Sequence, residues 1–136
     1  MIWMLDTNIM IYFINRKPGF ERVARRISGR SPGEVRLSAI TLAELRYGMN
    51  RSAFPKENHA ALDAMLHLVE TDDFPAGAAL DFGEIRKHLE DTGKSIGPYD
   101  LLIAAHARHI GAMLVTNNER EFRRVPKLSL ENWAKT

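Results

Sequence analysis

Four carboxylates in this chain stand where a bare charge is costly. Asp6 ends the apolar run Ile2-Trp3-Met4-Leu5, and a second apolar run, Ile9 to Ile14, starts almost at once behind it. The pattern predicts a buried strand over residues 2–6 that delivers Asp6 to its carboxyl end, with a buried helix following. Open α/β sheets bind ligands in the crevice outside those ends. A charge between two buried elements needs a hydrogen bond, a partner or a metal. Capping the helix is the ordinary use, since Asp is a favoured cap.

Asp100 lies in the first turn of the most apolar helix, Tyr99 to Ile110. The helix dipole favours a carboxylate there. Ile103, Ala104 and Ala107 share its face, however, so that face points inward, and no Lys or Arg occurs between Pro98 and Ala107. Glu44 sits in a row with Ile40, Thr41, Tyr47 and Gly48, none of them charged. Its ordinary reading is the partner of Thr41 in a capping box, with Thr41 starting the helix. The fourth place is the end of the strand Ala112 to Thr116. Thr116, Asn117 and Asn118 close it, and Glu119 and Glu121 follow on a short helix. Glu119 at the helix start has a dipole role, so Glu121 is the better candidate to reach in.

Acidic side chains thus project from four elements toward one edge of one sheet. Such carboxylates repel unless a cation holds them. Mg²⁺ and Mn²⁺ take oxygen ligands, and Mg²⁺ binds through one or two carboxylates plus waters and substrate phosphates. The chemistry that follows is hydrolysis of a phosphodiester. Arginines nearby would hold flanking phosphates, because the guanidinium fork binds them bidentately. Arg22, Arg25, Arg26 and Arg30 fall on one segment and Arg120, Arg123 and Arg124 on another, although a solvated helix face is the more ordinary explanation of either cluster taken alone.

These residues are carried by alternating strands and helices. Helices are predicted over Thr7 to Asn15, Phe20 to Ile27, Thr41 to Met49, Lys56 to Leu68, Ala76 to Thr92, Tyr99 to Ile110 and Glu119 to Arg124. On Lys56 to Leu68 the apolar stripe reads Ala60, Ala61, Ala64, Met65 and Leu68. Strands are predicted over residues 2–6, Val35 to Ser38 and Ala112 to Thr116, with a polar edge strand within Val69 to Phe74 and a last strand over Leu128 to Leu130. The alternation implies βαβ units around a mainly parallel sheet of four or five strands, with helices on both faces.

The chain of 136 residues has no composition shift and no linker, so residues 1–136 are expected to form a single domain. With 45% hydrophobic and 26% charged residues, it has the make-up of a globular protein that buries about two-thirds of its unfolded surface without staples. The absence of cysteine excludes disulfides, thiol catalysis and cysteine-ligated zinc. No stretch reaches the roughly 20 apolar residues of a membrane span, and the apolar start lacks the layout of a signal peptide, so the cytoplasm is expected. The formal charge of +2 does not by itself imply nucleic acid.

With these motifs in order, the chain resembles the PIN-domain ribonucleases, and within them the VapC toxins of type II toxin–antitoxin pairs. The likeness spans nearly the whole chain. It rests on Met4-Leu5-Asp6-Thr7-Asn8, on Thr41-Leu42-Ala43-Glu44-Leu45, on Gly97-Pro98-Tyr99-Asp100 and on Leu114-Val115-Thr116-Asn117-Asn118 with Glu121-Phe122 beyond, closed by Leu130-Glu131-Asn132-Trp133. It implies a PIN-like three-layer fold and an endoribonuclease using Mg²⁺ or Mn²⁺ on RNA, often tRNA or another structured RNA. Asp6, Glu44 and Asp100 would hold the metal. Thr7, Asn8 and Thr116 would line the site. Where relatives often carry a further Asp, this chain has Asn117 and Asn118, so Glu121 or those amides would serve instead. The resemblance also implies a homodimer, a VapB-type antitoxin and promoter DNA reached only through the antitoxin.

Rival chemistries fit less well. An aspartyl phosphotransferase wants a second Asp two residues after the first, where this chain has Asn8. No GxxxxGK or GxGxxG phosphate cradle is present. His106 and His109 lack a third zinc ligand and read as helix-flank residues. An inactive RNA-binding scaffold would have a broken acidic set, and only Asn117 and Asn118 speak for it. DNA cleavage stays open within the same chemistry.

Overall fold

A computed structural model describes residues 1–135; Thr136, the last residue of the expected domain, lies outside the described residues. The strands are β1 (Trp3–Leu5), β2 (Val35–Ser38), β3 (Glu70–Asp72), β4 (Met113–Val115) and β5 (Leu130–Glu131). The helices are α1 (Thr7–Ile14), α2 (Phe20–Ser28), α3 (Ala39–Arg51), α4 (Pro55–Met65), α5 (Ala78–Asp91), α6 (Pro98–Ile110) and α7 (Glu119–Phe122). All the strand pairs are parallel, and the sheet order is β3-β2-β1-β4-β5. The fold is therefore the α/β class expected, with five strands.

The chain leaves the central β1, builds β2 and β3 on one side, and then crosses to build β4 and β5 on the other. The order reverses between β1 and β4, which is where doubly wound sheets open their ligand crevice. Trp3 pairs with Met113 and Leu5 with Val115, so β1 and β4 end level. Asp6 and Thr116 are the next residues on the two strands.

Side chains alternate across a strand, and β1 shows it directly. Leu5 enters a core with Ile9, Val23, Leu37, Leu45, Leu62 and Trp133, on the face covered by α1 to α4. Met4 enters the other core with Ile85, Leu89, Ile103, Ala104, Leu114 and Phe122, under α5 to α7. Three layers result. No helix among the described residues is long and apolar enough to cross a membrane.

Three expected elements need correction. The helix after β2 starts at Ala39, capped by Ser38, whose Oγ accepts from Ile40 N at 3.1 Å. Thr41 is buried inside the helix, so the Thr41–Glu44 capping box does not form. Ser38 wins because β2 ends on it, leaving its hydroxyl at the first free amides. On α4 the buried residues are Leu62 and Met65, whereas Ala60, Ala61, Ala64 and Leu68 are exposed. The alanine stripe has less area to bury than the Leu62 and Met65 side chains, and the larger ones set the helix's rotation. The last strand starts two residues later than expected and ends one later, at Leu130–Glu131.

Candidate active site

Each acidic residue reaches the carboxyl edge for a local reason. Asp6 caps α1: its Oδ1 accepts from Ile9 N at 2.8 Å, while its own backbone N–H continues the sheet to Val115 O. Its other oxygen, Oδ2, accepts from the Thr116 hydroxyl at 2.5 Å, across the β1–β4 gap. Thr116 Oγ1 in turn accepts from Asn118 N at 2.8 Å, and Asn118 Nδ2 donates to Glu121 Oε2 at 3.0 Å. A single hydrogen-bonded chain thus runs from Asp6 to Glu121. On the other side, the Thr7 hydroxyl donates to Glu44 Oε1 at 2.6 Å. Thr7 also stands 3.4 Å from the Thr41 hydroxyl, which gives the buried Thr41 its role.

Asp100 comes from the first turn of α6, where Pro98 starts the helix and Gly97 precedes it without a side-chain cap. It is half-buried, and Ile103, Ala104 and Ala107 beneath it are fully buried. Glu44 and Glu121 are also half-buried, so this edge opens to solvent. The row around Glu44 is less enclosed than its lack of charge implies, because Tyr47 and Gly48 are exposed.

Electrostatics tie the four together. Burial drives Asp6 up from 3.8 to about 7 against the pull of Thr116 and Ile9, and the charges of Asp100 and Glu44 push the same way. Asp100 rises to about 6, through burial first and then Glu44 and Glu121. Among the described residues, none of the four carboxylates is paired with a Lys, Arg or His. The edge is a concentrated, uncompensated negative site.

The amides divide. Asn118 belongs to the site. Asn117 is exposed and turned away, its Oδ1 accepting from Asn132 Nδ2 at 3.3 Å. Asn8, in the first turn of α1, is exposed and outside the hydrogen-bonded chain.

Ser38 and His106 were not visible as a pair in the sequence. His106 is buried, not on a flank, and its Nδ1 lies 2.9 Å from Ser38 Oγ. Ser38 Oγ, which also accepts from Ile40 N, shares this hydrogen bond with His106 Nδ1, and the ring tautomer sets which of the two donates. Burial holds the imidazole below its ordinary pKa and so favours its neutral form. The bond joins α6, which carries Asp100, to the start of α3, which carries Glu44. The signal available was a lone histidine in an apolar helix, without its partner.

A parallel three-layer fold with an acidic switch-point edge defines the PIN class, and the family comparison agrees: the PIN domain model matches residues 3–128. Ribonuclease VapC2 of Rickettsia felis is 44% identical over 135 residues, covering 99% of this chain and 100% of that protein. The tRNA(fMet)-specific endonuclease VapC of Shigella flexneri is 40% identical, over 97% and 98% of the two chains. Among solved structures, VapBC2 of Rickettsia felis bound to a promoter DNA fragment superposes with a TM-score of 0.89 at 43% identity, covering 98% of this chain and 99% of that one. DNA-bound VapBC of Salmonella typhimurium superposes at 0.88 with 39% identity, covering 98% of each chain. The chain belongs to the VapC family of PIN-domain ribonucleases.

Proposed function

We propose that this protein is a metal-dependent endoribonuclease toxin that hydrolyses phosphodiesters in RNA at the carboxyl edge of β1 and β4. The observation that carries the reading is the set of four carboxylates without a cation partner, two of them held up to about 7 and about 6. Relatives named as ribonucleases, one of them specific for tRNA(fMet), make a structured RNA such as tRNA the favoured substrate class.

The donor set fits Mg²⁺ or Mn²⁺. Its atoms are hard carboxylate oxygens, and the cation would offset the burial and mutual repulsion of Asp6 and Asp100. Among the described residues, no three His, Asp or Glu side chains already close around one point as ligands. Mg²⁺ keeps several waters and needs only one or two carboxylates, so a closed cage is not required. Asp6, Asp100 and Glu44 would hold it. When bound, the cation supplies Lewis-acid activation of water and neutralises charge on the phosphodiester.

The chain's own groups do the positioning. Thr116 and the Ile9 amide keep Asp6 in one orientation and favour its charged form. Thr7 fixes the Glu44 oxygen that faces it. Glu121, oriented by Asn118, sits close enough to raise Asp100 and would accept a proton from attacking water. Ser38 and His106 hold the spacing of α3 and α6.

The relatives crystallise as VapBC complexes, which supports neutralisation by a VapB-type antitoxin and contact with promoter DNA through it. Exposed Ile11, Tyr47 and Phe54 offer apolar surface for the antitoxin or for a second copy in a homodimer. Action in the cytoplasm follows from the substrate.

The test is product chemistry. A tRNA pool incubated with the purified protein and Mg²⁺ should yield discrete fragments with 5′-phosphate and 3′-hydroxyl ends, the result of water attack. Fragments ending in 2′,3′-cyclic phosphate would mean attack by the ribose hydroxyl and would overturn the assignment of the edge.

A further inference from the structure

The acidic edge repels a polyanion, so the cations that hold RNA must stand on the adjoining surface. Two basic segments are available, and the structure uses them differently. On α2 and just beyond it, Arg22, Arg26 and Arg30 are committed to the fold. Arg30 stacks over Trp3 and Trp133 at 4.2 and 4.6 Å, and Arg26 over Trp133 at 6.0 Å. Arg22 donates twice to the Ala134 carbonyl, at 3.0 and 2.8 Å. Trp3 starts β1, so this clasp lies toward the end of the sheet opposite Asp6.

The second segment lies beside the site. A groove of about 450 Å³ is lined by Asn117, Asn118, Glu119, Arg120, Arg123 and Lys135. Among its lining residues is Asn118, which links Thr116 to Glu121. A second groove of about 360 Å³ continues from Arg123 past Arg124 to Lys94 and His88. Five of the chain's 19 lysines and arginines line the two grooves, namely Arg120, Arg123, Arg124, Lys94 and Lys135, and Glu119 is the one carboxylate among the lining residues. Glu119 bridges Lys135 at 2.6 Å and Arg123 at 3.4 Å, which orients both across the groove mouth. Arg124 is steadied by the Ser95 carbonyl at 3.2 Å. Arg120 is exposed and forms no ion pair among the described residues.

We propose that the groove along α7 is the track for the sugar–phosphate backbone of the RNA on one side of the scissile bond. Arg120 and Arg123 take the phosphates nearest the carboxylates, and Arg124 and Lys94 take those further out. The inference rests on the ribonuclease reading and adds a path to it. Arginine suits the task because its fork meets two phosphate oxygens at once.

The test is RNA binding in EDTA, read by fluorescence anisotropy of a labelled tRNA over a series of salt concentrations. The Arg120→Gln/Arg123→Gln double variant should bind about tenfold more weakly, and its salt slope should fall by about two, one for each phosphate left without its arginine. The Arg25→Gln/Arg26→Gln variant removes the same charge from α2 and should keep the wild-type affinity and slope. Thermal melts of both variants report whether they are folded. If the α7 variant matches the wild type, or if the α2 variant carries the loss instead, the track is wrong while RNA binding itself stands. If the wild type neither binds RNA nor cleaves it when Mg²⁺ is restored, the ribonuclease reading fails and the track falls with it.

Discussion

Asp6 accepts two hydrogen bonds and still titrates near neutrality, because complete burial and two neighbouring acids outweigh them. The consequence for stability has a definite sign. Between the ordinary value of 3.8 and about 6, the unfolded chain has released the Asp100 proton and the folded chain still holds it. Folding takes up that proton, so the contribution of Asp100 to stability falls as pH rises through the window. Metal-free Asp100→Asn should therefore melt a few degrees higher than the wild type at pH 7 and at nearly the same temperature at pH 4. A pH-independent difference would contradict the assignment. In the presence of Mg²⁺ the order should reverse, since only the wild type gains ligand stabilisation. Thr116 acts through Asp6. Thr116→Val should lower Mn²⁺ affinity on the order of 10- to 100-fold, measured by titration calorimetry. Of the site residues, Asp6 and Asp100 could be read in the sequence because each is a lone charge beside apolar runs. Thr7 could not be given its partner, since nothing local shows a hydroxyl on α1 meeting a carboxylate on α3.

At the scale of elements, the strands and their order of use were legible, and the helix details were less so. Val35–Ser38 reads correctly because a short stretch alternating apolar and polar residues lies between a loop with Gly29, Pro32 and Gly33 and a helix. The start of α3 misleads because Ser38 and Thr41 are both competent caps, and only the end of β2 chooses between them. The rotation of α4 misleads because small apolar residues signal a buried face as strongly as large ones do in a pattern, but not in area. The pairing of His106 with Ser38 joins residues 68 apart in sequence and leaves no local trace. It makes a test of how α3 and α6 are held. His106→Leu keeps the bulk but leaves the buried Ser38 hydroxyl without its side-chain partner, which should cost about 1–3 kcal/mol in chemical denaturation. Mn²⁺ affinity should fall with it, because Glu44 and Asp100 lose their fixed spacing, and His106→Asn should recover part of that loss. If metal affinity is untouched while stability drops, the bond serves the core alone.

Across the whole molecule, the sheet places its reversal of strand order at β1 and β4, and everything chemical collects there. A net charge of +2 conceals a strong separation: an unpaired acidic edge, a basic groove beside it, and a tryptophan–arginine clasp toward the other end. On the proposed reading, the apolar side chains left outside the two cores would serve association. Gel filtration of the isolated protein should accordingly give twice the monomer mass, whereas a strictly monomeric species would remove the homodimer from the account.

The account turns on whether the acidic edge cleaves RNA only with a divalent cation. The direct measurement is the rate of tRNA cleavage by EDTA-stripped protein as Mg²⁺ is restored, with Asp100→Asn run in parallel. The rate should be absent without metal and return with Mg²⁺ or Mn²⁺ in the wild type. The variant should stay at least about 100-fold slower throughout. Cleavage that persists in EDTA, or a variant as fast as the wild type, would contradict it.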